Sequence, residues 1–174
     1  RYRMDERKWI ERILAGDTQS FSCLVAKYEK MAYTIALRIL ENREEAEEAV
    51  QDAFVKMYRA LSDFHFDSKF STWFYRIVYR TALTALRQQR MFVSYEEAGP
   101  VDLSNGEVES ATALLEREDR KEMIARTLKK LPADEALLLT LYYLEECSVE
   151  EICQITELSA SNVKVKLFRG RKRF

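Results

Sequence analysis

Helix-breaking residues are almost absent from this chain, and half of those present fall together. Of 4 Gly and 2 Pro, Gly99, Pro100 and Gly106 lie in the single stretch SYEEAGPVDLSNGEVES, residues 94–110. On either side the sequence is rich in Leu, Ala, Glu and Arg, so helices are expected nearly throughout. The resulting fold class is all-α: two small helical domains joined by a flexible acidic linker. The boundaries read as 5–90, 91–110 and 111–174. The central stretch carries several acids and no Lys or Arg, the composition of a solvated tether. An extended linker of about 25 residues spans up to ~80 Å, more than one and a half turns of duplex at about 34–36 Å per turn.

The segment Cys147–Phe174 reads as two short helices and a tight turn. Ser148 followed by Glu151 is a capping-box start, and Val149, Ile152, Ile155 and Leu158 form its apolar face. Ser159 caps a second helix whose Val163 and Leu167 point inward. That helix carries Lys164, Lys166, Arg169, Arg171, Lys172 and Arg173 with no acid among them. A basic helix angled across a short apolar one is how a helix-turn-helix enters a major groove. A helical hairpin with a solvated charged face has the same composition.

Charge is segregated along the rest of the chain, although its formal net value is only −1. Over Glu41–Leu61, Ala46, Ala49, Val50, Ala53, Phe54, Met57 and Tyr58 form an apolar stripe. Glu44, Glu45, Glu47, Glu48 and Asp52 line the other side. An acidic face repels phosphate and suits a basic protein partner; a plain solvated face is the alternative. Over Leu61–Arg90 the pattern inverts. Past Asp67 there is no acid, and Lys69, Arg76, Arg80, Arg87 and Arg90 alternate with Phe70, Trp73, Phe74, Tyr75 and Tyr79. Cations beside rings suit single-stranded nucleic acid, where phosphates pair and bases stack. Helical spacing turns Phe74, Ile77 and Val78 inward, whereas Phe64, His65 and Phe66 precede the helix and are expected to be exposed.

Other chemistry finds little support. His65 is the only histidine, and no glycine-rich phosphate loop or carboxylate–histidine constellation is visible, so the chain is read as no enzyme. Cys23, Cys147 and Cys153 lack metal-ligand or disulfide spacing and read as buried thiols of a cytosolic protein. No metal and no cofactor is expected. No apolar run reaches transmembrane length and no signal peptide is visible, so no direct membrane insertion is expected. Arg1–Met4 reads as a trimmed end, with Met4 a candidate native start.

The order of these features closely resembles bacterial RNA polymerase sigma factors of the extracytoplasmic-function group. It runs from the acidic helix through FSTWFYRI, an acidic linker and LP to SVEEI and NVKVKLFRGRKR. The resemblance implies a region 2 domain that melts promoters and a region 4 helix-turn-helix domain. It implies binding to core RNA polymerase, recognition of the −10 and −35 elements, and a cytoplasmic location. It also implies an anti-sigma factor, often membrane-bound. By the same resemblance Glu48, Gln51, Asp52, Phe54 and Val55 dock on the polymerase. Phe64, His65, Phe66, Lys69, Trp73, Arg76, Arg80, Thr84 and Arg87 meet the melted −10 strand. Asn162, Lys164, Val165, Lys166, Phe168 and Arg169 read duplex at −35, while Arg171 meets phosphate or turns inward. Arg80 and Thr84 depart from the residues common in the −10 helix, so promoter preference does not transfer. Glu157 stands where the family often has Gly in the turn, at a steric cost if φ is positive. Ala136 replaces a frequent Arg, which removes a buried ion pair seen in relatives. A rival reading, a duplex-binding regulator without polymerase docking, leaves the aromatic-basic segment and the acidic helix unexplained.

Overall fold

Local capping explains where the helices begin. Asp5, Asp17, Asn42, Ser148 and Ser159 each accept a hydrogen bond from a first-turn backbone N–H. Such a cap contributes about 1 kcal/mol. These residues open α1 (Glu6–Leu14), α2 (Thr18–Leu40), α3 (Arg43–Ala60), α7 (Val149–Thr156) and α8 (Ala160–Arg173). The computed structural model describes residues 5–95 and 115–174, and among them the remaining elements are also helical. A short 3-10 turn, Leu61–Asp63, follows α3, and α4 runs over Phe70–Tyr95. After α5 (Leu115–Lys129), Pro132 opens α6 (Ala133–Leu139), which widens into a π-helical turn over Thr140–Leu144.

The long helix α4 continues through Tyr95, so Met91–Tyr95 is helix where the composition suggested linker. The rest of the expected linker, with the first residues of the following domain, lies at 96–114, outside the described residues.

An apolar core runs through both parts of the chain. Leu24, Ile35, Met57, Phe74 and Val78 fill the space among α2, α3 and α4. Leu138, Leu141, Ile152, Ile155 and Leu167 do the same for α6, α7 and α8. Truncating one of these Leu or Ile side chains to Ala costs about 2–5 kcal/mol. Gly170 lets α8 cross α6 closely: a Cβ there would sit 3.0 Å from Leu139 Cδ1. The two parts also touch, because α7 packs along α4 and α6 meets α2.

Several expectations from the sequence are corrected. Cys23 is exposed, since it lies on the outer side of α2 while its neighbour Leu24 takes the core position. Cys147 is buried and Cys153 partly so. Tyr58 belongs to the apolar stripe of α3 but is 50% exposed. Arg171 does not turn inward: it is exposed, and its guanidinium stacks on Tyr142 and Tyr143 at 5.5 and 5.6 Å.

Candidate nucleic-acid interface

The segment between the 3-10 turn and α4 is built around rings. Phe64 is only 6% exposed, contrary to expectation. Its ring is enclosed by Phe66 at 4.7 Å, Trp73 at 5.0 Å and Phe70 at 5.6 Å. A period-based reading of one segment cannot see this cluster, which closes only when the loop folds back over the first turn of α4. Phe66 remains 39% exposed, and its φ of 60° is left-handed, a strained conformation for a bulky side chain. The Arg7 guanidinium from α1 lies 4.7 Å from its ring centroid. Cation and ring together form a partly open platform beside exposed His65. The α1 contribution left no signal in the sequence, because Arg7 lies nearly sixty residues away.

Along α4, Lys69, Arg76, Arg80 and Arg87 recur at helical spacing, with Trp73 half-buried beside them and Thr84 exposed. The Thr84 hydroxyl donates to the Arg80 carbonyl, so it presents its oxygen near the helix surface. Three cations of this stripe are engaged by carboxylates of α7 and its C-cap while staying open to water. Lys69 pairs with Glu151 at 3.4 Å, and the Thr72 hydroxyl donates to the same carboxylate at 3.3 Å. Arg76 Nη2 lies 2.6 Å from Glu157 Oε1, and Arg80 donates to that same oxygen. These contacts hold the Glu157 carboxyl below its usual value, Arg80 contributing most and Arg76 next. Between them the Tyr75 hydroxyl donates to Glu145 at 3.0 Å. Burial, then the Glu145 charge, pushes the Tyr75 hydroxyl well above the usual phenol range.

The helix-turn-helix forms as its caps require. Ser148 and Glu151 make the reciprocal capping box, and Ser159 accepts from the Asn162 N–H at 3.2 Å. Glu157 terminates α7 with φ 63°, left-handed as the replaced glycine suggested. That conformation costs roughly 1–2 kcal/mol for a residue with a Cβ. Val163 and Leu167 are buried, which turns Lys164, Val165, Phe168 and Arg169 outward as one exposed face. Lys172 Nζ lies 4.6 Å from the Phe168 ring centroid. Asn162 is half-buried at the start of the helix. Lys166 leaves the face altogether and pairs with Asp134 at 2.7 Å. Burial opposes the Asp134 charge, but the Lys166 hydrogen bond prevails and keeps that carboxyl below its ordinary value.

A separate surface lies on α3. Glu44, Glu47, Glu48, Gln51 and Asp52 are exposed, so the acidic face is open. Phe54 is 7% exposed and Val55 47%, and beside them a shallow apolar groove of about 300 Å³ is walled by Thr18, Phe21 and Tyr58. Phe21 meets Tyr58 edge-on at 5.2 Å. The α2 wall and the exposed Tyr58 were not marked as functional by the sequence; only a run of apolar residues extending past the buried stripe hinted at them. Among the described residues no helix is long and apolar enough to cross a membrane, and no cluster of three or more His, Cys, Asp or Glu could hold a metal ion.

Comparison with known proteins agrees with this geometry. The family model for Sigma-70 region 2 matches residues 24–91, and the model for Sigma-70, region 4 matches residues 121–174. The RNA polymerase sigma-H factor of Pseudomonas aeruginosa is 32% identical over 174 residues, covering 96% of this chain and 90% of that protein. The ECF RNA polymerase sigma-E factor of Escherichia coli is 31% identical over 170 residues, covering 94% of this chain and 88% of that protein. In fold, the chain matches the sigma factor RpoE of Bartonella quintana, solved in complex with the anti-sigma factor NepR. That match has a TM-score of 0.71 at 19% identity and covers 89% of this chain and 94% of that one. It also matches CnrH, solved in complex with the cytosolic domain of CnrY, with a TM-score of 0.64 at 21% identity over 97% of this chain and 93% of that one. The chain therefore belongs to the sigma-70 family of RNA polymerase sigma factors, in its extracytoplasmic-function branch, and directs transcription initiation at promoters.

Proposed function

We propose that three surfaces divide this work. The exposed acidic side of α3, with Glu48, Gln51 and Asp52, and the adjoining groove at Val55 dock on core RNA polymerase. The ring platform at His65 and Phe66, with Lys69, Trp73, Arg76, Arg80, Thr84 and Arg87, holds the melted −10 strand. The α8 face formed by Lys164, Val165, Phe168 and Arg169 reads duplex at −35. Phe54 and Phe64 act from beneath, as buried supports for the groove and the platform. Lys166 orients α8 through Asp134 more than it meets DNA. The first domain runs from residue 5 to the end of α4 at Tyr95 and the second over 111–174, with 96–110 between them. The chain contributes no catalysis of its own and works in the cytoplasm, where an anti-sigma factor holds it inactive.

The observation that carries this reading is the sorting of charge by surface. The α4 stripe and the α8 face are cationic, whereas the α3 face is anionic. Phosphate is drawn to the first two and repelled from the third. Arg169 has the reach and fork geometry to bond guanine bidentately, and Phe168 packs on a thymine methyl. An exposed aromatic such as Phe66 stacks an unpaired base.

Footprinting of the reconstituted holoenzyme tests the assignment. Arg87→Ala should reduce permanganate-reactive thymines at −10 while protection at −35 persists. Arg169→Ala should do the opposite. If both variants gave the unaltered pattern, the division of surfaces would be wrong.

A further inference from the structure

Glu157 closes the turn of the helix-turn-helix in a left-handed conformation that glycine adopts without strain. What the glutamate adds is a carboxylate, and that carboxylate sits on Arg76 and Arg80 of α4. Two turns back, Glu151 holds Lys69 and Thr72 at the start of the same helix. Two acids from the −35 domain thus occupy cations that face the melted strand. We propose that Glu157 is an intramolecular latch: it stands in for backbone phosphate on the −10 helix and keeps the free chain closed until polymerase and promoter displace it. This inference rests on α4 being the strand-binding helix.

The masking is selective. Lys164, Val165, Phe168 and Arg169 stay exposed in the closed arrangement, so the −35 face is open while Lys69, Arg76 and Arg80 on the −10 side are held by carboxylates. The latch is also built to yield. The side chains of Glu157, Arg76 and Arg80 are 53%, 42% and 54% exposed, so water and salt reach the pairs. Exposed pairs of this kind are weak and screened, and a strand bearing several phosphates competes with a single carboxylate on equal chemical terms.

The test compares full-length Glu157→Gln with the unaltered chain, using Glu150→Gln as a charge-matched control, since Glu150 is exposed on the same helix. Small-angle X-ray scattering reads closure, and fluorescence anisotropy reads binding of a labelled single-stranded oligonucleotide. If the closed form holds about nine-tenths of molecules, opening raises apparent affinity for the strand about tenfold. Glu157→Gln should therefore enlarge the radius of gyration by several Å and tighten oligonucleotide binding, while Glu150→Gln does neither. Adding Arg76→Glu and Arg80→Glu to Glu157→Arg should restore the compact scattering by swapped charge. Unchanged scattering in Glu157→Gln would overturn the latch and leave the reading of α4 intact. Expansion without tighter strand binding would overturn the masking, and the role assigned to α4 with it.

Discussion

Tyr58→Ala isolates the apolar part of the polymerase docking proposed for α3. The ring is 50% exposed at the rim of the groove, with one edge already against Phe21. An aromatic side chain has about 150–250 Å² to bury, so roughly 100 Å² of Tyr58 is available to a partner. At about 25 cal/mol per Å², covering it contributes ~2.5 kcal/mol, and its loss raises Kd for core polymerase about 60-fold. The fold loses only the edge contact to Phe21, about 1 kcal/mol. Phe54→Ala behaves differently: with Phe54 only 7% exposed, it opens a cavity and costs about 3–5 kcal/mol of folding stability. The assay is competition between labelled and unlabelled chains for core polymerase, with thermal melting run in parallel. A Tyr58→Ala Kd within about twofold of the unaltered protein, with the chain still folded at the assay temperature, would remove the groove from the interface and refute the area argument.

Other expectations follow from single residues. Arg169→Ala should lose about 1–3 kcal/mol of −35 discrimination in competition binding by the holoenzyme, with −10 opening retained. Thiol labelling should begin at exposed Cys23. Burial, then Glu151, pushes the Cys147 thiol up to about 11. At pH 8 roughly a thousandth of Cys147 is then thiolate, and mass spectrometry should find it labelled last unless the chain is unfolded. The Glu157 carboxyl is lowered, so its contribution to closure is fully present above the ordinary glutamate value of 4.5 and is lost as pH falls through the lowered one. Glu151, lowered in spite of burial by its Ser148 hydrogen bonds and by Lys69, acts in the same direction. Scattering should therefore stay compact from neutral pH down to mild acid and expand only below that, whereas Glu157→Gln should be expanded throughout.

Features set by near neighbours were legible in the sequence. The Ser148–Glu151 box, the Ser159 cap and the inward Val163 and Leu167 depend on contacts within one turn, which spacing encodes directly. The left-handed Glu157 was legible as a departure from a common glycine. Features set by remote neighbours were not. Phe64 looked exposed because its enclosure needs Trp73 and Phe70 to fold back on it. Tyr58 looked buried because periodicity marks the stripe of α3, not where α2 stops covering it. Lys166 looked like a DNA contact because nothing local announces Asp134, 32 residues earlier. The α4–α7 contact joins residues about eighty positions apart and obeys no period, so charge composition showed each helix without showing that they pair.

In the division of surfaces proposed above, separated anionic and cationic faces let one chain carry core polymerase to a promoter. The most direct measurement is run-off transcription with purified core enzyme, the full chain and genomic DNA, with start sites mapped by sequencing. Transcripts should begin downstream of a shared pair of elements and should be lost with Asp52→Lys, which reverses charge on the proposed docking face. Start sites scattered as they are with core enzyme alone, or initiation indifferent to Asp52→Lys, would contradict it.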